Sequence, residues 1–113
     1  MKPATVAVGR YVEQSFPQIT TIGGHRQDVT NDHPSGRAID VMIPDYTTAA
    51  GNALGWQIAR DLQAKAPQLG ISYLIFDEQI WSVARGDEGW RPYSGKNGSD
   101  SARHFDHVHI NVY

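Results

Sequence analysis

At 113 residues the chain has room for one hydrophobic core and one domain. Its 40% hydrophobic and 19% charged fractions are those of an ordinary globular chain, with no apolar run near the ~18 residues of a membrane span. A formal charge of −2 and a pI of about 6.2 give no basic field for nucleic acid, and the lack of cysteine excludes disulfides and thiolate–metal sites.

From the amino terminus, Thr5 to Phe16 reads as a first helix, with Val6, Val8, Tyr11, Val12 and Phe16 among polar neighbours and Pro17 as its stop. Ile19 to Ile22 reads as a short strand before Gly23-Gly24, where the backbone can turn sharply. His25 to Arg37 is polar and rich in Asp, Asn, Pro and Gly, a loop composition. Ala38 to Ile43 is the next predicted strand, with Ile39, Val41 and Ile43 on one face and Asp40 on the other. Thr47 to Ala66 is a helix striped by Leu54, Ile58 and Leu62, widened by Trp56 and Ala59, and ended by Pro67 and Gly70.

Ser72 to Phe76 and Gln79 to Val83 read as a hairpin turning at Asp77-Glu78. Residues 84 to 105 are glycine-rich and polar, the composition of a long ordered loop. His107 to Tyr113 is the last strand, with Val108, Ile110 and Val112 toward the core. Strands and helices that do not strictly alternate predict an α+β fold, a small antiparallel sheet flanked by helices.

Two stretches carry the chemistry: His33-Pro34-Ser35-Gly36-Arg37-Ala38-Ile39-Asp40 and Asp106-His107-Val108-His109. His107 and His109 are two apart on a strand, so both point away from Val108 and Ile110. If their strand lies beside the Asp40 strand in one antiparallel sheet, the three side chains share a face. His33 then reaches in from the loop through the turn shaped by Pro34 and Gly36. Any three of these four donors suffice for a catalytic zinc, which keeps a fourth position for water, whereas structural sites favour cysteine. Asp106 would point away from the two histidines if the strand were regular at that point, so its place is the irregular end after Phe105.

The pattern His33-x-x-Gly36-x-Ala38-x-Asp40 followed by Asp106-x-x-His109 resembles that of the zinc D-Ala-D-Ala carboxypeptidases and related peptidoglycan peptidases. That group shares a fold with the amino-terminal signalling domain of Hedgehog proteins and with lysostaphin-type enzymes. Gly24-His25-Arg26 resembles the group's arginine motif. Tyr73-Leu74-Ile75-Phe76, Ile80-Trp81-Ser82, Gly89-Trp90-Arg91-Pro92-Tyr93-Ser94-Gly95 and His107-Val108-His109 resemble a branch of extracellular actinobacterial proteins. The likeness runs over about residues 19 to 113, so residues 1–113 are expected to form a single zinc peptidase domain of the Hedgehog/DD-peptidase type. The sequence departs from the usual pattern at Asn31, where many relatives have serine, at His25, where many have an aromatic, and at Asp106, where many have glutamate.

The resemblance implies zinc held by His33, Asp40 and His109, with Asp106 as general base. It puts Arg26 near the substrate carbonyl and His107 beside the metal, as a group that stabilises the oxyanion or orients Asp106. His25 and His104 flank the constellation, and Asp32 reads as a solvated loop residue that replaces Asp40 only if the strand register differs. Trp81, Trp90 and Tyr93 either wall a groove or pack beneath the glycine-rich loop.

The implied activity is hydrolysis of peptidoglycan stem peptides by a monomer acting at the cell envelope, outside the cell or as part of a phage lysin. The Met1–Val6 segment lacks the apolar core of a signal peptide. A carboxypeptidase mode calls for a cation to hold the terminal carboxylate, and Arg37, Arg91 and Arg103 are the candidates. An endopeptidase mode calls for an open channel. The alternative is a metal-retaining binding module without turnover, as in the Hedgehog domain.

Overall fold

Strand periodicity and pairing account for where each functional residue ends up. In the computed structural model, residues 3–23, 38–93 and 106–113 are described. They form, in chain order, α1 (Pro3–Ser15), β1 (Ile22–Gly23), β2 (Ala38–Met42), α2 (Ala49–Ala64), α3 (Ala66–Leu69), β3 (Ile71–Phe76), β4 (Gln79–Ser82), a 3-10 turn at Gly86–Glu88, β5 (Arg91–Pro92) and β6 (His107–Val112). The fold is α+β. Six strands make one antiparallel sheet in the order β1-β2-β6-β3-β4-β5, so the last strand of the chain is inserted between β2 and β3.

The two faces of this sheet are chemically distinct because side chains alternate along each strand. Ile39 and Val41 of β2, Val108, Ile110 and Val112 of β6, Leu74 and Phe76 of β3 and Trp81 of β4 turn to one side and join a single core. Val8 and Val12 of α1 and Ile58, Ala59 and Leu62 of α2 complete that core. Burial of these apolar side chains is the dominant stabilising term, at roughly 25 cal/mol per Å² removed from water. The opposite face carries Asp40, His107 and His109.

Local signals fix the elements that frame the sheet. The Thr48 hydroxyl accepts from the Gly51 amide at 3.0 Å and caps α2, satisfying one of its orphan donors. Gly55 lets α2 approach β3: a Cβ there would come within 2.2 Å of the Phe76 ring. Asp77 and Glu78 both have positive φ, 53° and 59°, the two-residue turn whose twist matches a hairpin. The Asp77 carboxylate then accepts from Trp56 Nε1 at 3.0 Å and Asn52 Nδ2 at 3.4 Å, pinning the hairpin tip to α2.

Three expectations are corrected. The first strand is Ile22–Gly23 instead of Ile19–Ile22, because Ile19 instead turns back on Phe16 and buries its side chain. The long helix ends at Ala64, and Pro67 does not stop it but sits in the first turn of α3, where its missing N–H costs nothing. Residues 84–93 are not a plain loop: they include the 3-10 turn and β5, an edge strand of the sheet. Of the two readings open for the tryptophans, packing holds: Trp81 is a core residue, and Trp90 packs edge-on against Trp56 while donating to Gln63 Oε1 at 2.8 Å. Neither tryptophan walls a groove on the Asp40 face. The predicted loop at 25–37 and the remainder of the 84–105 segment lie outside the described residues. None of the described helices is long and apolar enough to cross a membrane.

Candidate metal centre

Pairing of β2 with β6 sets the register that makes a site. Asp40 lies directly opposite His109, and Met42 opposite His107. Directly opposed residues of an antiparallel pair share a face, so one carboxylate and two imidazoles converge from segments 69 positions apart. His109 Nδ1 is 3.0 Å from Asp40 Oδ1, and His107 Nε2 is 3.6 Å from the same oxygen. Both histidine residues are buried, at 7% and 8% exposure, while Asp40 is partly exposed. Burial strengthens interactions among these groups by removing competing water.

Asp106 occupies a bend just before β6, and its carbonyl accepts from the Ile43 amide at 2.9 Å. Off the regular strand, its carboxylate can turn to the histidine side, and Oδ1 stands 2.7 Å from His107 Nδ1. That contact orients the His107 ring and leaves Nε2 toward Asp40. Tyr73 of β3 stacks on His109, with ring centroids 5.8 Å apart and an interplanar angle of 17°. Strand period alone gives Tyr73 no role at the site. Its separation from Ile75 by two positions, and the pairing of Ile75 with His109, put it on the site face.

Of the six residues expected to form the site, four are described and lie together: Asp40, Asp106, His107 and His109. His33 and Arg26 lie outside the described residues. Asp40, His107 and His109 offer ligand atoms all within 4.8 Å of one another and could hold a metal ion. Donors ~2.1 Å from one zinc are at most about 4.2 Å apart, and the 3.0 and 3.6 Å separations from Asp40 fall inside that limit. Two imidazoles and a carboxylate suit zinc and its first-row neighbours better than magnesium or calcium, which prefer oxygen throughout. The contact of Asp106 with the far nitrogen of His107 is the outer-shell carboxylate that commonly orients such rings.

No curated protein and no solved structure gives a significant match to this chain. The family described as VldE, C-terminal domain, matches residues 1–105, a span that takes in α1, the sheet through β5 and the Asp40 strand, and ends just before Asp106. With nearly the whole length covered, the chain belongs to the VldE C-terminal domain family.

Proposed function

We propose that the chain is a zinc-dependent peptidase acting on the stem peptides of bacterial peptidoglycan. The observation that carries this reading is the convergence of Asp40, His107 and His109 on one sheet face, with Asp106 bound to His107. The likeness of the His33-to-Asp40 and Asp106-to-His109 patterns to zinc D-Ala-D-Ala carboxypeptidases supplies the substrate class and the fold type, that of the Hedgehog/DD-peptidase group.

In this reading Asp40 and His109 are metal ligands, with His33 as the third. A bound zinc ion would supply Lewis acidity, polarising a peptide carbonyl and making water a better nucleophile near neutral pH. Asp106 is the general base, taking the proton of the attacking water and passing it to the leaving amine. His107, held through Nδ1 by Asp106, directs Nε2 at the carbonyl oxygen as negative charge develops there, and Arg26 assists. Groups fixed before the reaction need no reorganisation in the transition state, which is why the Asp106–His107 contact matters. The site would act from outside the cell or from the envelope, where its substrate is found.

The test is digestion of purified peptidoglycan with and without a chelator, followed by mass spectrometry of the released muropeptides. Chelator-sensitive release of new amines, with defined cut sites, is the expected result. Intact muropeptides from metal-loaded protein would overturn the peptidase reading and leave a binding module.

A further inference from the structure

The strand pairings define a row of residues that crosses the whole sheet on the site face. Asp40 pairs with His109, His109 with Ile75, Ile75 with Ile80, and Ile80 with Arg91. Paired residues share a face, so Arg91 on the edge strand β5 points to the same side as the metal-ligand cluster. An independent contact agrees: Arg91 Nη2 is 3.5 Å from Ser82 Oγ, and Ser82 pairs with Tyr73, the residue stacked on His109.

Arg91 is half-buried, and its Nε is buried with no hydrogen-bond partner among the described residues. The nearby acid Glu88 is hydrogen-bonded by Arg85 at 2.7 and 2.9 Å and feels Arg91 only as a further, weaker charge. A guanidinium is a rigid fork of donors suited to a carboxylate. We propose that Arg91 is a specificity-determining residue that takes a carboxylate of the substrate, at a subsite separate from the metal cluster. Three strand spacings separate β6 from β5, about 14 Å, which an extended peptide covers in roughly four residues. The carboxylate it takes is therefore that of an internal acidic residue a few positions from the cleaved bond. A terminal carboxylate next to that bond would be too close to the metal ligands. The preferred substrate is thus an acidic peptide cut internally. This assignment rests on the peptidase reading for the identity of the ligand, though not for the presence of a carboxylate site.

The experiment compares two synthetic stem peptides, L-Ala-γ-D-Glu-L-Lys-D-Ala-D-Ala with the glutamyl α-carboxylate free or amidated, both amidated at the carboxyl terminus. Calorimetric binding to the wild-type chain should favour the free carboxylate by about 10- to 100-fold, the worth of a charge-assisted hydrogen bond. Arg91→Gln, which keeps most of the stem packing, should bind both peptides alike. Arg91→Lys, which keeps the charge without the fork, should retain part of the preference and guards against misfolding of the first variant. Equal binding of the two peptides by wild type, binding of neither, or full preference in Arg91→Gln would overturn the assignment. Carboxylate-dependent binding with neither peptide cut would overturn the peptidase reading alone and leave Arg91 as a carboxylate site.

Discussion

At the scale of single residues, the roles of Asp106 and His107 are the sharpest question. Asp106 contacts His107 Nδ1, the ring nitrogen on the side away from Asp40, so in the proposed mechanism it serves as base and not as a metal ligand. Asp106→Asn and His107→Ala are each expected to keep the metal and to lose turnover by about a hundredfold or more, the usual scale for a general base or oxyanion donor. Metal content measured beside activity on peptidoglycan checks this. Metal loss in His107→Ala, with metal kept in His33→Ala, would make His107 the third ligand. The two-residue spacing of His107 and His109 made their common face legible from sequence alone. The place of Asp106 at the irregular end of the strand, turned toward His107, was legible too, because a regular strand would have aimed its carboxylate away; only the atoms that meet, Oδ1 and Nδ1, needed the structure.

At the scale of elements, register decides everything on the site face. A slip of one residue between β2 and β6 would move Asp40 to the core side, and buried Ile39 and Val41 oppose that slip. Helix α2 braces this arrangement through β3. Gly55→Ala would force a Cβ to within 2.2 Å of Phe76, and the resulting overpacking should cost about 1–3 kcal/mol. That outweighs the ~1 kcal/mol of helix propensity that alanine gains over glycine. Thr48→Ala should cost about 1 kcal/mol by removing the cap on the Gly51 amide. Urea unfolding of the two variants checks both magnitudes, and a Gly55→Ala chain as stable as wild type would contradict the packing of α2 on Phe76.

Strands β2, β3, β4 and β6 and the two long helices were readable because their apolar spacing is set by burial on one side. The two-residue β1, the end of α2, the turn of α3 and strand β5 were not. Pro67 serves equally as a helix stop or a helix start, and a two-residue edge strand such as Arg91–Pro92 is too short for any period to show.

At the scale of the molecule, two devices tie distant segments together. One joins α1 to α2: Tyr11 donates to the Asp61 carboxylate, which also pairs with Lys65 at 2.7 Å. Burial alone would raise the Asp61 carboxyl, but the hydrogen bonds from Lys65 and Tyr11 outweigh it and hold the carboxyl below its ordinary 3.8. Hydrogen bonding to Asp61 and then to Tyr11 pushes Lys65 up to about 12. For a carboxyl depressed in the folded state, stability is present above its unfolded value and is lost as pH falls through the folded one. For a raised amine, the contribution is present below 10.5 and is lost as pH rises through about 12. The stability difference between wild type and Asp61→Asn should therefore be flat from about pH 5 to pH 9 and shrink below pH 3.8. A difference unchanged at low pH would show that Asp61 acts through packing and not through its charge.

The other device is the site itself, where the final strand is joined to one that begins at residue 38. An ion bound there stabilises only the folded chain, so it couples ligand binding to the integrity of the sheet. The most direct test is elemental analysis of chains dialysed against zinc, comparing wild type with Asp40→Ala and His109→Ala. The account predicts about one ion per chain in wild type and almost none in either variant. A wild-type chain that retains no metal, or variants that retain as much as wild type, would contradict it.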